Sequence, residues 1–99
     1  MRVIAKTALV EFWTIHPESA SKLEAWYRTL KNCAAQDFND LKRTFSSADF
    51  VPKNYTVFDV GGNAYRVIVS IHYDKQRAYI REVLTHAEYD KWTKANRGK

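Results

Sequence analysis

A single cysteine, Cys33, rules out an internal disulfide in this 99-residue chain. There is no C-x-x-C pair and no Cys/His cluster, so zinc-ligand spacing is missing as well. The chain has no G-x-x-x-x-G-K loop to cradle phosphates and no serine nucleophile elbow. Catalysis by such a chain is expected to be acid/base and electrostatic work, with no cofactor and no metal. No apolar run approaches the roughly 20 residues that span a bilayer, and the first residues do not read as a signal peptide. The expected setting is the cytoplasm of a bacterium. Internal repeats and low-complexity tracts are lacking too, and a single domain over 1–99 is expected.

Hydrophobic residues make up 45% of the chain and aromatics 14%, a globular rather than a disordered composition. The net charge is +5 and the isoelectric point about 9.4. A small basic domain points to nucleic acid, an acidic membrane surface or an acidic protein. The membrane is disfavoured, because no stretch joins a large apolar face to a Lys/Arg-rich one. A basic, merely solvated surface is the plain alternative.

The chain is organised around residues 54–92, which read as three strands, two tight turns and a short helix. Val60-Gly61-Gly62-Asn63 separates two runs rich in Val, Ile, Tyr and Phe. Gly62-Asn63 suits a two-residue type II′ turn, with glycine supplying the positive φ of its first position. After the turn, Tyr65, Val67, Val69, Ile71 and Tyr73 form one apolar face. Arg66, Ile68, Ser70 and His72 form the other. A second turn at Asp74-Lys75 pairs Ile71 with Ala78 and Val69 with Ile80. It also places Arg77, Tyr79 and Arg81 on the face of Arg66, Ser70 and His72, so one face is core and the other is polar and basic. Thr85 and Glu88 then make a capping box, with Leu84 and Tyr89 at the two positions of a hydrophobic staple. That junction leaves backbone N–H groups at a helix N-terminus, a ready anion site beside His86.

What comes before reads as a helical cover. Residues 1–5 suit a short strand. Thr7 is the expected N-cap of a helix in which Ala8, Phe12 and Ile15 keep helical spacing. His16-Pro17 ends it, since the residue before proline avoids the α region. A second helix is expected from Pro17 to about Ala35, with a stripe of Ala20, Leu23, Trp26, Tyr27, Leu30 and Ala34. The two helices, antiparallel, would cover one face of the sheet, with Trp13 and Trp26 in the packing rather than stacking on bases. In residues 36–54, Phe38, Leu41 and Phe45 suit one more helical turn capped by Asp37, followed by an irregular link to Pro52. The chain ends in Lys91, Lys94, Arg97 and Lys99, expected to be frayed.

Arg66, in mid-hairpin on the face that is not core, suits a clamp on phosphate that stabilises developing charge. A cross-strand ion pair with Asp59 explains it equally well. His86 is the best acid/base candidate: its ordinary pKa is about 6.5, and a helix N-terminus disfavours its charged form. It also suits an ordinary polar first helical residue. Tyr89 is explained by the staple, or by stacking on a base. Lys53, Lys42, Arg77 and Arg81 suit phosphate contacts, or surface charge alone.

Two stretches, VGGNAYRVIV and YIREVLTHAEYDKW, resemble the signature of HigB toxins within the RelE/ParE superfamily of type II toxin–antitoxin systems. The similarity runs over nearly the whole chain, with the combined motifs G-G-N-x-x-R and R-E-V-x-T-H-x-E-Y-D. The resemblance implies an α+β fold: two N-terminal helices packed on a small, mainly antiparallel sheet, and a short C-terminal helix. It also implies an mRNA interferase, an endoribonuclease that usually cuts mRNA in the ribosomal A site. The implied chemistry is metal-free: a ribose 2′-hydroxyl attacks the neighbouring phosphate. Carried over, Arg66 matches the arginine that stabilises the pentavalent phosphate, and His86 and Tyr89 match the acid/base and stacking positions. Arg81 is a weaker match. Lys53 stands nearest to the lysines that RelE carries within the strand before the hairpin. The implied partner is a HigA-type helix-turn-helix antitoxin, with operator DNA reached only through it. Two rivals keep the fold and change the function: a ParE-like gyrase-binding toxin, and a translational repressor that binds RNA without cutting it.

Overall fold

The computed structural model describes residues 1–62 and 64–96. Strand β1 (Arg2–Ile4) runs parallel to β5 (Arg77–Thr85) at one edge of a five-stranded sheet. Beyond β5 follow β4 (Tyr65–His72), β3 (Tyr55–Val60) and β2 (Asp49–Val51), each antiparallel to its neighbour. Helices α1 (Lys6–Ile15), α2 (Ala20–Lys31) and α3 (Phe38–Thr44) cover one face, and α4 (His86–Asn96) lies against the other. This is the α+β arrangement the sequence implied.

Alternation along β4 builds both sides. Tyr65, Val67, Val69 and Ile71 pack under Leu9, Phe12, Leu23, Trp26 and Leu30, forming the main core. Phe58 is fully buried there, with the rings of Trp26 and Phe45 edge-on at 5.2 and 4.9 Å. Ile68 points the other way and joins Val51 and Val57 in a smaller core. Leu84, Tyr89 and Trp92 close over it, so the helix docks through the expected staple.

Both hairpin registers agree with the alternation. Val60 pairs with Tyr65, and the Gly61 carbonyl accepts from the Ala64 amide at 3.3 Å. Gly62 has φ +58°, as that turn requires. The turn type rests on Asn63, which lies outside the described residues. In the second hairpin Ile71 faces Ala78 and Val69 faces Ile80. Past them the pairing skips: Val69 is opposite Ile80 but Ile68 is opposite Glu82, which leaves Arg81 as a bulge residue.

Several local expectations are corrected. Thr7 does not cap α1; the helix starts at Lys6, after Ala5 in an extended conformation, with the Ala8 amide on the Ala5 carbonyl at 3.2 Å. Leu9 and Phe12 face the core while Ile15 is 75% exposed, because at about 3.6 residues per turn it lies roughly a third of a turn off that stripe. Pro17–Ser19 is a 3₁₀ turn rather than the first turn of α2, which ends at Lys31 and not near Ala35. The Met1 ammonium donates to the carbonyls of Lys31 (2.8 Å) and Cys33 (2.6 Å), satisfying acceptors at that end. Ala34 accordingly lies beyond the helix and is exposed. The link before Pro52 contains a strand, β2, that the sequence did not announce. Lys91 and Lys94 belong to α4, whereas Arg97 and Lys99 lie outside the described residues. The Asp37 cap is present, its Oδ1 accepting from the Asp40 amide at 2.8 Å.

Candidate active site

Arg66 occupies the second face of β4, directly opposite Asp59 on β3. Only 8% of it is exposed. Its Nε donates to Asp59 Oδ1 at 2.9 Å and its Nη1 to the Tyr65 carbonyl at 3.2 Å. The guanidinium carbon lies 5.1 Å from the centre of the Tyr89 ring, a cation–π contact. Both readings of Arg66 therefore meet in one geometry: the cross-strand pair exists, and it holds the guanidinium on the face that α4 borders.

The capping box explains how α4 reaches that position. The Thr85 amide donates to Glu88 Oε1 at 2.9 Å and the Glu88 amide to Thr85 Oγ1 at 3.3 Å. The His86 amide donates to the Ala64 carbonyl at 3.1 Å, tying the helix start to the first hairpin turn. The expected anion site at this helix end is thereby corrected. Two of the amides it relied on, those of His86 and Glu88, are already engaged. The His86 imidazole remains exposed, its Nε2 3.9 Å from Asp90 Oδ2.

From Tyr89 a row of rings continues across the face. Trp92 stacks on Tyr89 at 5.9 Å with 17° between the planes, and Tyr55 meets Trp92 edge-on at 5.4 Å. Tyr55 in turn lines a groove of about 860 Å³, together with Lys53, Ser70, His72, Arg81 and Asn96. Alternation along β5 after Arg77 and Tyr79 puts Arg81 on this side, with its Nε donating to Ser70 Oγ at 3.1 Å and its guanidinium carbon 5.5 Å over the Tyr79 ring. The His72 ring meets Tyr79 edge-on at 5.4 Å.

The structure thus gathers Arg66 and Tyr89 at one place, Lys53 and Arg81 in the adjoining groove, and His86 at the start of the helix between strand and solvent. Arg77, opposite His72 and beside Arg2, is exposed at the end of β5 and does not line the groove. Lys42 is not brought to this face. It sits on α3, over Phe38 at 5.9 Å, on the helical side of the sheet. Sequence reading did not single out Tyr55, Asn96 or Trp92. The signal for Trp92 was its place three residues after Tyr89, one turn along the same helix face. Among the described residues no three His, Cys, Asp or Glu side chains converge as metal ligands.

The mainly antiparallel sheet, covered by helices on one face, thus carries on its other face an arginine on a tyrosine beside a cationic groove. Residues 19–92 match the HigB toxin family, described as the RelE-like toxic component of a toxin-antitoxin system. The chain belongs to that family. It is 36% identical over its whole length to the mRNA interferase toxin HigB of Escherichia coli strain K12, covering 97% of that protein. The mRNA interferase HigB of Shigella flexneri matches equally, at 36% identity and the same coverage. An mRNA interferase HigB of Escherichia coli O6:H1 is 33% identical over 95% of this chain and 93% of its own length.

Proposed function

We propose that this chain is an mRNA interferase, cutting mRNA engaged on the ribosome by a metal-free reaction. The observation that carries the reading is the Arg66 guanidinium, seated on Tyr89 and continuous through Trp92 and Tyr55 with the groove of Lys53 and Arg81. One face thus joins a charge-stabilising arginine, stacking rings and phosphate-binding cations. Likeness over the full length to proteins named mRNA interferases supports the same reading.

In the reaction, His86 takes the proton of a ribose 2′-hydroxyl and the oxygen attacks the adjacent phosphorus. The bond from phosphorus to the 5′-oxygen breaks, that oxygen takes a proton from water while the His86 imidazolium gives its own back to solvent, and the products carry a 2′,3′-cyclic phosphate and a 5′-hydroxyl. Arg66 stabilises the charge that builds on the pentavalent phosphate. Tyr89 steadies Arg66 and stacks on a base. Lys53 and Arg81 hold flanking phosphates, while Arg77 and Lys42 add to the long-range attraction of the basic surface. The partner is a HigA-type helix-turn-helix antitoxin that silences the toxin and carries it to operator DNA. The site of action is the bacterial cytoplasm. No described helix is long and apolar enough to cross a membrane.

Induction in cells, with and without the antitoxin, tests the reading. Wild type is expected to arrest growth and lose full-length mRNA, whereas Arg66→Ala and His86→Gln, folded by circular dichroism, do neither. Growth arrest with intact mRNA would point instead to gyrase binding, which a supercoiling assay detects, or to repression without cleavage.

A further inference from the structure

We infer that Asp59 is a positioning residue for Arg66, rather than a neutral cross-strand partner. The inference rests on the proposed function and deepens it. An arginine that must meet phosphate is weakened by a carboxylate beside it, because the two negative groups compete for one cation. Here the carboxylate is nevertheless in direct contact, at 2.9 Å, and at Nε. Contact at Nε sets the direction in which the planar head points, since rotation about the last side-chain bonds swings Nη1 and Nη2 around that atom.

Two further restraints add to the seat. The Tyr65 carbonyl accepts from Nη1 at 3.2 Å, and the guanidinium carbon lies over the Tyr89 ring at 5.1 Å. The Tyr65 carbonyl is backbone and is carried by the same strand as Arg66. Asp59 is different, because it belongs to β3. Its place opposite Arg66 is set by the Gly61–Gly62 turn that fixes the hairpin register. The hairpin motif and the arginine therefore act as one unit: the turn delivers the acceptor that aims the guanidinium. Positioning needs an acceptor at Oδ1 and not the negative charge.

The test is cleavage of a reporter mRNA in a cell-free translation reaction, with the rate at saturating toxin separated from the half-saturating concentration. Asp59→Ala is expected to lower the saturating rate about tenfold or more with little change in half-saturation, as a misaimed group does. Asp59→Asn, which keeps the acceptor, is expected to stay within about threefold of wild type, with half-saturation equal or tighter. Arg66→Ala is the control and is expected to be inactive. Wild-type rate in Asp59→Ala with an inactive Arg66→Ala overturns the role of Asp59 and leaves the proposed function standing. Wild-type rate in Arg66→Ala overturns both. Equal losses in Asp59→Asn and Asp59→Ala also overturn positioning, because the charge would then be what matters. Should Asp59→Ala not fold, proton exchange at Arg66 Nε in the wild type decides: slow exchange is expected, and exchange as fast as at the exposed Arg43 contradicts the seat.

Discussion

Replacing Tyr89 by leucine and by phenylalanine separates the ring from its hydroxyl. The ring makes two contacts that leucine cannot reproduce: the Arg66 guanidinium at 5.1 Å and the Trp92 ring at 5.9 Å. A cation–π contact is worth about 0.5–1 kcal/mol when exposed and about 2 when desolvated. The Arg66 side chain is only 10% exposed, so the upper part of that range applies. An aromatic pair adds about 0.5–1.5 kcal/mol. Leucine fills part of the small core and restores some apolar burial, so the net loss for Tyr89→Leu is about 2 kcal/mol. For a chain of this size that lowers Tm by roughly 8–16 °C. Tyr89→Phe keeps both contacts, and its Tm is expected within about 3 °C of wild type. Thermal unfolding by circular dichroism gives both values, and mRNA cleavage gives the companion result: near-normal for phenylalanine, strongly reduced for leucine. Equal Tm for leucine and wild type would refute the claim that this ring seats the arginine.

Three further outcomes follow from the same geometry. Lys53→Ala and Arg81→Ala are each expected to weaken RNA binding and to reduce the slope of log affinity against log salt by about 1, whereas Lys42→Ala changes the slope much less; filter binding across a salt series checks this. Thr85→Ala removes half of the capping box and is expected to cost about 1 kcal/mol in a denaturant titration. Among the described residues the buried Tyr73 hydroxyl has no hydrogen bond of good geometry, and burial raises its phenol from 10.0 to about 12 against a smaller lowering by the Thr56 side chain. The fold therefore favours the neutral phenol, so its contribution is complete below about pH 10 and is lost as pH rises through about 12. Tyr73→Phe is expected to be more stable by about 1 kcal/mol at neutral pH and to flatten the alkaline decline in Tm.

Periodicity and turn chemistry made the second half of the chain legible. Alternation from Tyr65 to Tyr73 assigned the main-core face of β4, and the glycine pair and Asp74-Lys75 set both registers; the other face, expected to be polar and basic, also carries the smaller core that α4 covers. The capping box located the start of α4 because its two hydrogen bonds depend only on residues three apart. Where the reading failed, the deciding contacts were distant. Strand β2 is three residues long, and its identity comes from pairing with β3 rather than from its own pattern. The carbonyls at the end of α2 are satisfied by the Met1 ammonium, about thirty residues away in sequence. Thr7 looked like a cap, yet the extended Ala5 at the end of β1 leads directly into the helix. The groove gathers a loop, three strands and the far end of α4, so composition named Lys53 and Arg81 but equally named Lys42, which the fold holds elsewhere. Likewise the engagement of the His86 amide by Ala64 is invisible in a local motif, since the two are joined only by the hairpin.

The most direct test of the central claim is the chemistry of the cut ends in a cell-free translation reaction with the purified toxin and a reporter mRNA. Cleavage by 2′-hydroxyl attack predicts downstream fragments with a 5′-hydroxyl, labelled by polynucleotide kinase without phosphatase treatment. It also predicts upstream fragments ending in a 2′,3′-cyclic phosphate, and neither end should form with Arg66→Ala. Fragments bearing a 5′-phosphate, or an mRNA that stays intact while translation stops, would contradict the account.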